Sequence, residues 1–164
     1  MTGDRPERLK LADVMLRRYL RLGESHTIAE VMGFLSDPHF KKEGLPFLVV
    51  IAEDGSFAGM LRPKAIFNCL LDDDREQEED RFAERAASRL TITVAAIMDR
   101  DVPALPPGVP LDEAFLCIHQ SATECVAVTE EGRVIGLITA RLLFEKASSL
   151  TVGALSGGVI PPKP

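Results

Sequence analysis

The sequence predicts an α/β (α+β) fold built from two copies of one βαββα unit, and three observations predict it. Ala12-Asp13-Val14-Met15 reappears as Ala95-Ala96-Ile97-Met98 at an offset of 83 residues, and the match runs on without a gap through Leu22 on Leu105 and Glu30 on Glu113. Behind each of these turns, apolar residues recur at i, i+3, i+4 and i+7: Ile28, Val31, Met32 and Leu35 in the first copy, and Leu111, Ala114, Phe115 and Ile118 in the second. That period makes an amphipathic helix with one buried face. Each copy then carries two short β-rich runs separated by an acidic residue and Gly, the pattern of a hairpin with a tight turn.

The elements follow in order within each copy. Thr27 with Glu30 three residues on is a capping-box pattern for the first amphipathic helix. For the second helix, Pro110 suits the first helical position, and Asp112 and Glu113 suit the positive end of its dipole. Beyond the helix the offset falls to 77, so the first copy has six extra residues within 36–44, a stretch holding His39, Lys41 and Lys42 and read as a mobile surface loop. Leu48-Val49-Val50-Ile51 then aligns with Cys125-Val126-Ala127-Val128, and Phe57-Ala58-Gly59-Met60-Leu61 with Val134-Ile135-Gly136-Leu137-Ile138. A final helix closes each copy, from Pro63 to Leu71 and from Ala140 to Ala147. One copy alone would leave its apolar faces in water, so the pattern requires pairing.

This gives a first repeat over 9–71, an acidic helical linker over 72–91, a second repeat over 92–147 and a flexible tail over 148–164. Between Asp72 and Leu90 eight acids face four arginines, so a net −4 of the chain's −6 lies in the linker. Acids lead and arginines follow there, while Phe82, Ala86 and Leu90 give a narrow apolar stripe; disorder is expected near Asp72 to Asp80, then a docking helix. The tail mixes Ser, Gly and Pro with few aliphatics, so little of it is expected to pack.

Composition excludes several classes. Apolar residues make up 46% of the 164 and aromatics only 5%, so aliphatic side chains do the packing. No basic stripe interleaved with aromatics is present, which argues against nucleic acid as a partner. The longest mainly apolar run, Leu45 to Ala52, is far shorter than the roughly 20 residues a membrane helix needs. Cys69, Cys117 and Cys125 are odd in number and in no CxxC spacing, and the chain opens without a basic-then-apolar segment, so a cytoplasmic location is expected.

The sequence resembles the tandem domains named after cystathionine β-synthase, the CBS pair or Bateman module. The second copy carries the resemblance through Ile97-Met98, Pro110-Leu111-Asp112-Glu113-Ala114, Glu131-Gly132-Arg133-Val134-Ile135-Gly136 and Leu137-Ile138-Thr139. The first carries it more loosely through Val14-Met15, Glu53-Asp54-Gly55 and Gly59-Met60-Leu61. The resemblance implies two intertwined repeats packed with pseudo-twofold symmetry, two clefts between them, and homodimers built from the helices.

It also implies a regulatory module that senses a small anionic or adenosine-nucleotide-like ligand and modulates a partner, here an unknown regulated protein. In nucleotide-binding members a Thr after Gly-apolar-apolar and an Asp three residues later contact phosphate and ribose. Here those positions are Thr139 and Leu142 in the second copy, and Arg62 and Ala65 in the first. Both carboxylates are missing, which weakens the adenosine reading, since an unmet hydroxyl costs about 1 kcal/mol or more. The alternative is therefore a ligand-free dimerisation or scaffold module. Thr139 is also well placed to cap the last helix. Arg62-Pro63-Lys64 sets two cations at a helix start, where backbone N–H groups and the dipole favour an anion, unless Arg62 pairs with a local acid. Candidate ligand-binding residues are Thr139, Arg141, Val102, Ala104, Cys125, Val126, Arg62, Lys64 and Leu48, for an adenosine nucleotide or other phosphorylated metabolite.

No catalysis is expected. Of known catalytic motifs the chain has no HExxH, Gly-x-Ser-x-Gly or Walker sequence. Cys117 and His119 lie two apart on a helix and so face different ways, and Cys125 sits in an apolar strand where a thiol is a small core residue. No metal site is expected from them.

Overall fold

A computed structural model describes residues 9–39, 47–71, 84, 86–121 and 123–154. The first half contains α1 (Leu11–Val14), β1 (Leu20–Gly23), α2 (Ile28–Leu35), β2 (Leu48–Ile51), β3 (Phe57–Leu61) and α3 (Pro63–Leu71). The second contains α4 (Val94–Ile97), β4 (Ala104–Leu105), α5 (Leu111–Ser121), β5 (Cys125–Glu130), β6 (Arg133–Thr139) and α6 (Ala140–Ala154). Each half forms a three-stranded sheet in which the first strand runs parallel to the second and the second pairs antiparallel with the third. The mixed α/β architecture is the one the repeat requires.

Local chemistry accounts for the helix ends. The Thr27 capping box forms, with the Glu30 N–H donating to Thr27 Oγ1 at 3.3 Å and the Thr27 N–H donating to Glu30 Oε1 at 3.4 Å. Pro63 occupies the first position of α3, while α5 begins at Leu111, one residue after Pro110. α6 continues to Ala154, seven residues past the end read from its apolar face, because Ser148 to Val152 contain neither Pro nor Gly to stop it. Most of the linker, the loop beyond His39 and the chain after Ala154 lie outside the described residues; of the linker's apolar stripe, Leu90 packs on the first core.

The two cores correspond side chain by side chain. Ile28, Val31, Leu48, Val50, Leu61 and Ile66 form one; Leu111, Ala114, Val126, Val128, Ile138 and Leu143 form the other. Each is completed by the opposite half: Leu11 and Met15 enter the second core, and Val94 enters the first. Backbone pairs repeat the exchange. Leu11 N–H donates to Val109 O and Val94 N–H to His26 O; Leu111 N–H donates to Leu9 O and Ile28 N–H to Ile92 O. Leu16 pairs with Leu137 as Asp99 pairs with Met60. Every one of these partnerships maps onto its counterpart under the repeat offsets, so the halves are related by a pseudo-twofold rotation, and Ile28 and Leu111 hold equivalent places.

The ladder register corrects the alignment of the second strands. Val49 lies beside Arg21 and Met60, as Ala127 lies beside Ala104 and Leu137. Leu48 therefore matches Val126 rather than Cys125, an offset of 78. The first copy has five extra residues before β2 and one more in its hairpin turn, instead of six together. A bulge between Val50 and Ile51 recurs at the equivalent Val128 and Thr129. Both strands are apolar on both faces, so the sequence carries no alternation to set their register. The pleat then divides them: Val49 and Ala127 face a seam between the sheets with Met60, Leu137 and Val134, while Leu48, Val50, Val126 and Val128 face the helices.

Candidate functional site

At the β2 start the seam opens into a cleft of about 470 Å³ lined by Phe47, Leu48, Met60, Leu61, Arg62, Pro63, Lys64, Val102, Thr123, Glu124 and Cys125. Four pieces of backbone build it. The end of β3 delivers Arg62, Pro63 and Lys64 to the N-terminus of α3, where Ala65 N–H already donates to Arg62 O at 2.9 Å. The start of β2 contributes Phe47 and Leu48. The second half contributes Val102 ahead of β4 and Thr123-Glu124-Cys125 at the start of β5.

Five of the residues singled out from sequence thus meet in one cleft: Arg62, Lys64, Leu48, Val102 and Cys125. The other four lie elsewhere. Thr139 is buried, and its Oγ1 accepts the Leu142 N–H at 3.0 Å, capping α6. Arg141 is on the surface of α6, its Nε donating to Glu145 Oε1 at 3.2 Å. Ala104 is an exposed residue of β4 beside Ala127. Val126, next to Cys125 on a pleated strand, points the opposite way and is fully buried in the second core.

Electrostatics in the cleft are mixed. The Arg62 guanidinium donates to Asp99 Oδ2 at 3.2 Å, so it does pair with an acid, contributed by the second half. That pair is exposed, and such pairs contribute about 0–1 kcal/mol; it uses one of five guanidinium N–H groups. Cys125 is buried, and desolvation pushes its thiol up to about 12, with the nearby Arg62 charge opposing the rise. A thiol so far from ionising is a wall of the cleft rather than a nucleophile. Thr123 Oγ1 is buried without a hydrogen-bond partner among the described residues. Among the described residues no cluster of His, Cys, Asp or Glu could hold a metal, and no helix is long and apolar enough to cross a membrane.

Sequence reasoning missed Phe47, Met60, Leu61, Thr123, Glu124 and Asp99. Met60 and Asp99 pair backbone to backbone across the halves, so the repeat offset applied to the Leu16–Leu137 pair reveals them only once one of the two is seen. Thr123 and Glu124 precede an apolar strand and carry no periodic signal.

Comparison with known proteins agrees with this geometry. The family model described as the CBS domain matches residues 94–148, the second copy, where the motif residues are fullest. Comparison with curated proteins gives no match. Among solved structures, a CBS domain-containing protein of unknown function from Kribbella flavida superposes with a TM-score of 0.69 at 22% identity, covering 85% of this chain and 99% of its own. The CBS domain pair of protein MJ0100, in complex with 5′-methylthioadenosine and S-adenosyl-L-methionine, gives 0.61 at 17% identity over 87% of this chain and 98% of its own. CBSX2 in complex with AMP gives 0.63 at 13% identity over the same shares, 87% and 98%. Residues 94–148 match the CBS domain, the first half docks on them as their twofold counterpart, and the whole chain has the fold of the tandem CBS modules.

Proposed function

We propose that this protein is a non-catalytic regulatory module that holds a small anionic or adenosine-nucleotide-like ligand in the cleft between its repeats and so alters a partner protein in the cytoplasm. The observation that carries the reading is the cleft itself. Its 470 Å³ falls within the roughly 300–1,000 Å³ of small-molecule sites, its walls are mainly aliphatic, and Arg62 and Lys64 flank Pro63 at a helix N-terminus. Relatives of the same fold hold adenosine compounds. Ala65 and Leu142 offer no carboxylate to a ribose, but Glu124 stands in the cleft wall and can accept from ligand hydroxyls. Thr123 Oγ1, buried and without a partner among the described residues, is a second polar group for a ligand to satisfy.

The second reading, a ligand-free dimerisation module, is favoured by the Arg62–Asp99 pair and by the missing carboxylates. Both readings include a homodimer. Phe67 and Leu71 on α3 and Phe144 on α6 are large apolar side chains left 57%, 61% and 70% exposed. Surfaces of that kind mark association sites.

Thermal-shift measurements against AMP, ATP, S-adenosyl-L-methionine and 5′-methylthioadenosine separate the two. A ligand at about 100 times its Kd adds roughly 2.7 kcal/mol, a rise of several degrees for a chain of this size. The sensing reading expects such a rise with at least one compound and its loss in Arg62→Ala. No rise with any of them favours the scaffold.

A further inference from the structure

At the opposite end of the sheets from the cleft, a pocket of about 260 Å³ is lined by Arg21, Leu22, Gly23, Ile51, Gly55, Arg133 and Val134. It shares no residue with the cleft. Two arginines, one from each repeat, line it, and no carboxylate does. We propose that Arg21 and Arg133 form a second anion site, sized for a small phospho-oxyanion such as inorganic phosphate or pyrophosphate.

Arg21 is held in place. Its Nη2 donates to Tyr19 Oη at 3.2 Å, its guanidinium lies 5.5 Å from the centroid of the Tyr19 ring, and Tyr19 Oη donates to Val134 O at 3.2 Å. One contact from Nη2 leaves the rest of the guanidinium fork available, and the chain of bonds ties β1 of the first repeat to β6 of the second.

Arg133 is positioned by a glycine. Gly55 has φ +86, and a Cβ on it would lie 3.2 Å from Arg133 Nη1, so the bare α-carbon lets the guanidinium rest on the tip of the first hairpin. Phe57 N–H donating to Gly132 O at 2.8 Å fastens that tip to the second hairpin.

Among the described residues neither arginine makes an ion pair. Two acids stand near Arg133: its ladder partner Glu130, which makes no ion pair with it among the described residues, and Asp54, which is committed locally, Oδ1 accepting the Ser56 hydroxyl at 2.6 Å and the Ser56 N–H at 3.0 Å. Those two bonds, ahead of the Arg133 charge, hold its carboxyl below the usual range. Asp54 lines a neighbouring pocket instead. Two guanidiniums bordering one pocket repel each other, and a doubly charged oxyanion between them removes that repulsion while taking the bidentate contacts that arginine offers. The volume lies below the roughly 300 Å³ at which drug-sized ligands fit, which selects a small anion over a nucleoside.

Calorimetric titration of the full chain with pyrophosphate at low salt, with inorganic phosphate as a second arm, tests the site. Saturable 1:1 binding of at least one anion is expected, at least tenfold weaker in Arg133→Gln and in Arg21→Gln. Arg133 is exposed, so Arg133→Gln decides the matter even if Arg21→Gln disturbs the Tyr19 contact and the fold. Absence of saturable heat with both anions, or binding indifferent to Arg133→Gln, overturns the proposal.

Discussion

Gly59 and Gly136 occupy equivalent places in β3 and β6, yet substitution should separate them. A Cβ at Gly59 runs into the carbonyl oxygen of Asp99, which is backbone locked in the pairing with Met60, and φ there is +154. A Cβ at Gly136 meets the side chain of buried Met15 rather than backbone, at normal φ. Gly59→Ala is therefore expected to lose about 3 kcal/mol and Gly136→Ala about 1 kcal/mol in urea unfolding. Gly33, inside α2 with nothing within 4 Å, should gain about 1 kcal/mol on substitution by Ala. Cys125 gives a pH test. Its thiol is raised from 9 to about 12 in the folded protein, so the unfolded chain releases that proton first. Its contribution is fully present below pH 9 and is lost as pH rises from there toward 12, by roughly 1.4 kcal/mol per unit. Urea midpoints of wild type and Cys125→Ala should therefore converge or cross across that window and run parallel below it. At this scale the local signals were readable: the Thr27 capping box and the Thr139 cap both involve residues three apart. The Arg62–Asp99 pair joins residues 37 apart and needed the fold.

Elements were legible wherever a period showed. α2 and α5 announce themselves because one face is apolar and the other is not, and both appear where that pattern lies. β2 and β5 announce their existence but not their register, since Val49 and Leu48 are equally apolar although one faces the seam and the other a helix. That ambiguity moved the insertion by one residue and hid Phe47 as the counterpart of Cys125. The helices also carry a prediction about assembly. Phe67 and Leu71 are one turn apart on α3, and Phe144 stands on the equivalent helix α6. The homodimer proposed above is expected to sediment as a dimer, and Phe67→Glu with Phe144→Glu as a monomer with unchanged circular dichroism. An unchanged mass would remove α3 and α6 from the interface.

For the whole molecule the reciprocal exchange of leading turns matters most. Leu11 is fully buried in the core of the second half and Val94 in that of the first, so neither half holds a complete core. Fragments 1–83 and 84–164 are expected to give unfolded or poorly dispersed amide spectra alone and native-like dispersion when mixed; cooperative unfolding of either fragment alone would contradict the exchange. The repeat made this architecture legible, because two similar units with exposed apolar faces must cover each other, but no sequence pattern says which half the leading turns enter. The same docking creates the cleft, whose wall joins Arg62 and Lys64 of one repeat to Thr123 and Glu124 of the other. The most direct test follows AMP and ATP titrations by amide chemical shifts of the labelled chain. The account predicts saturable shifts at residues 47–48, 60–64 and 123–125 with at least one of the two, lost in Arg62→Ala. Spectra unchanged to millimolar ligand, or shifts confined to other surfaces, would contradict it.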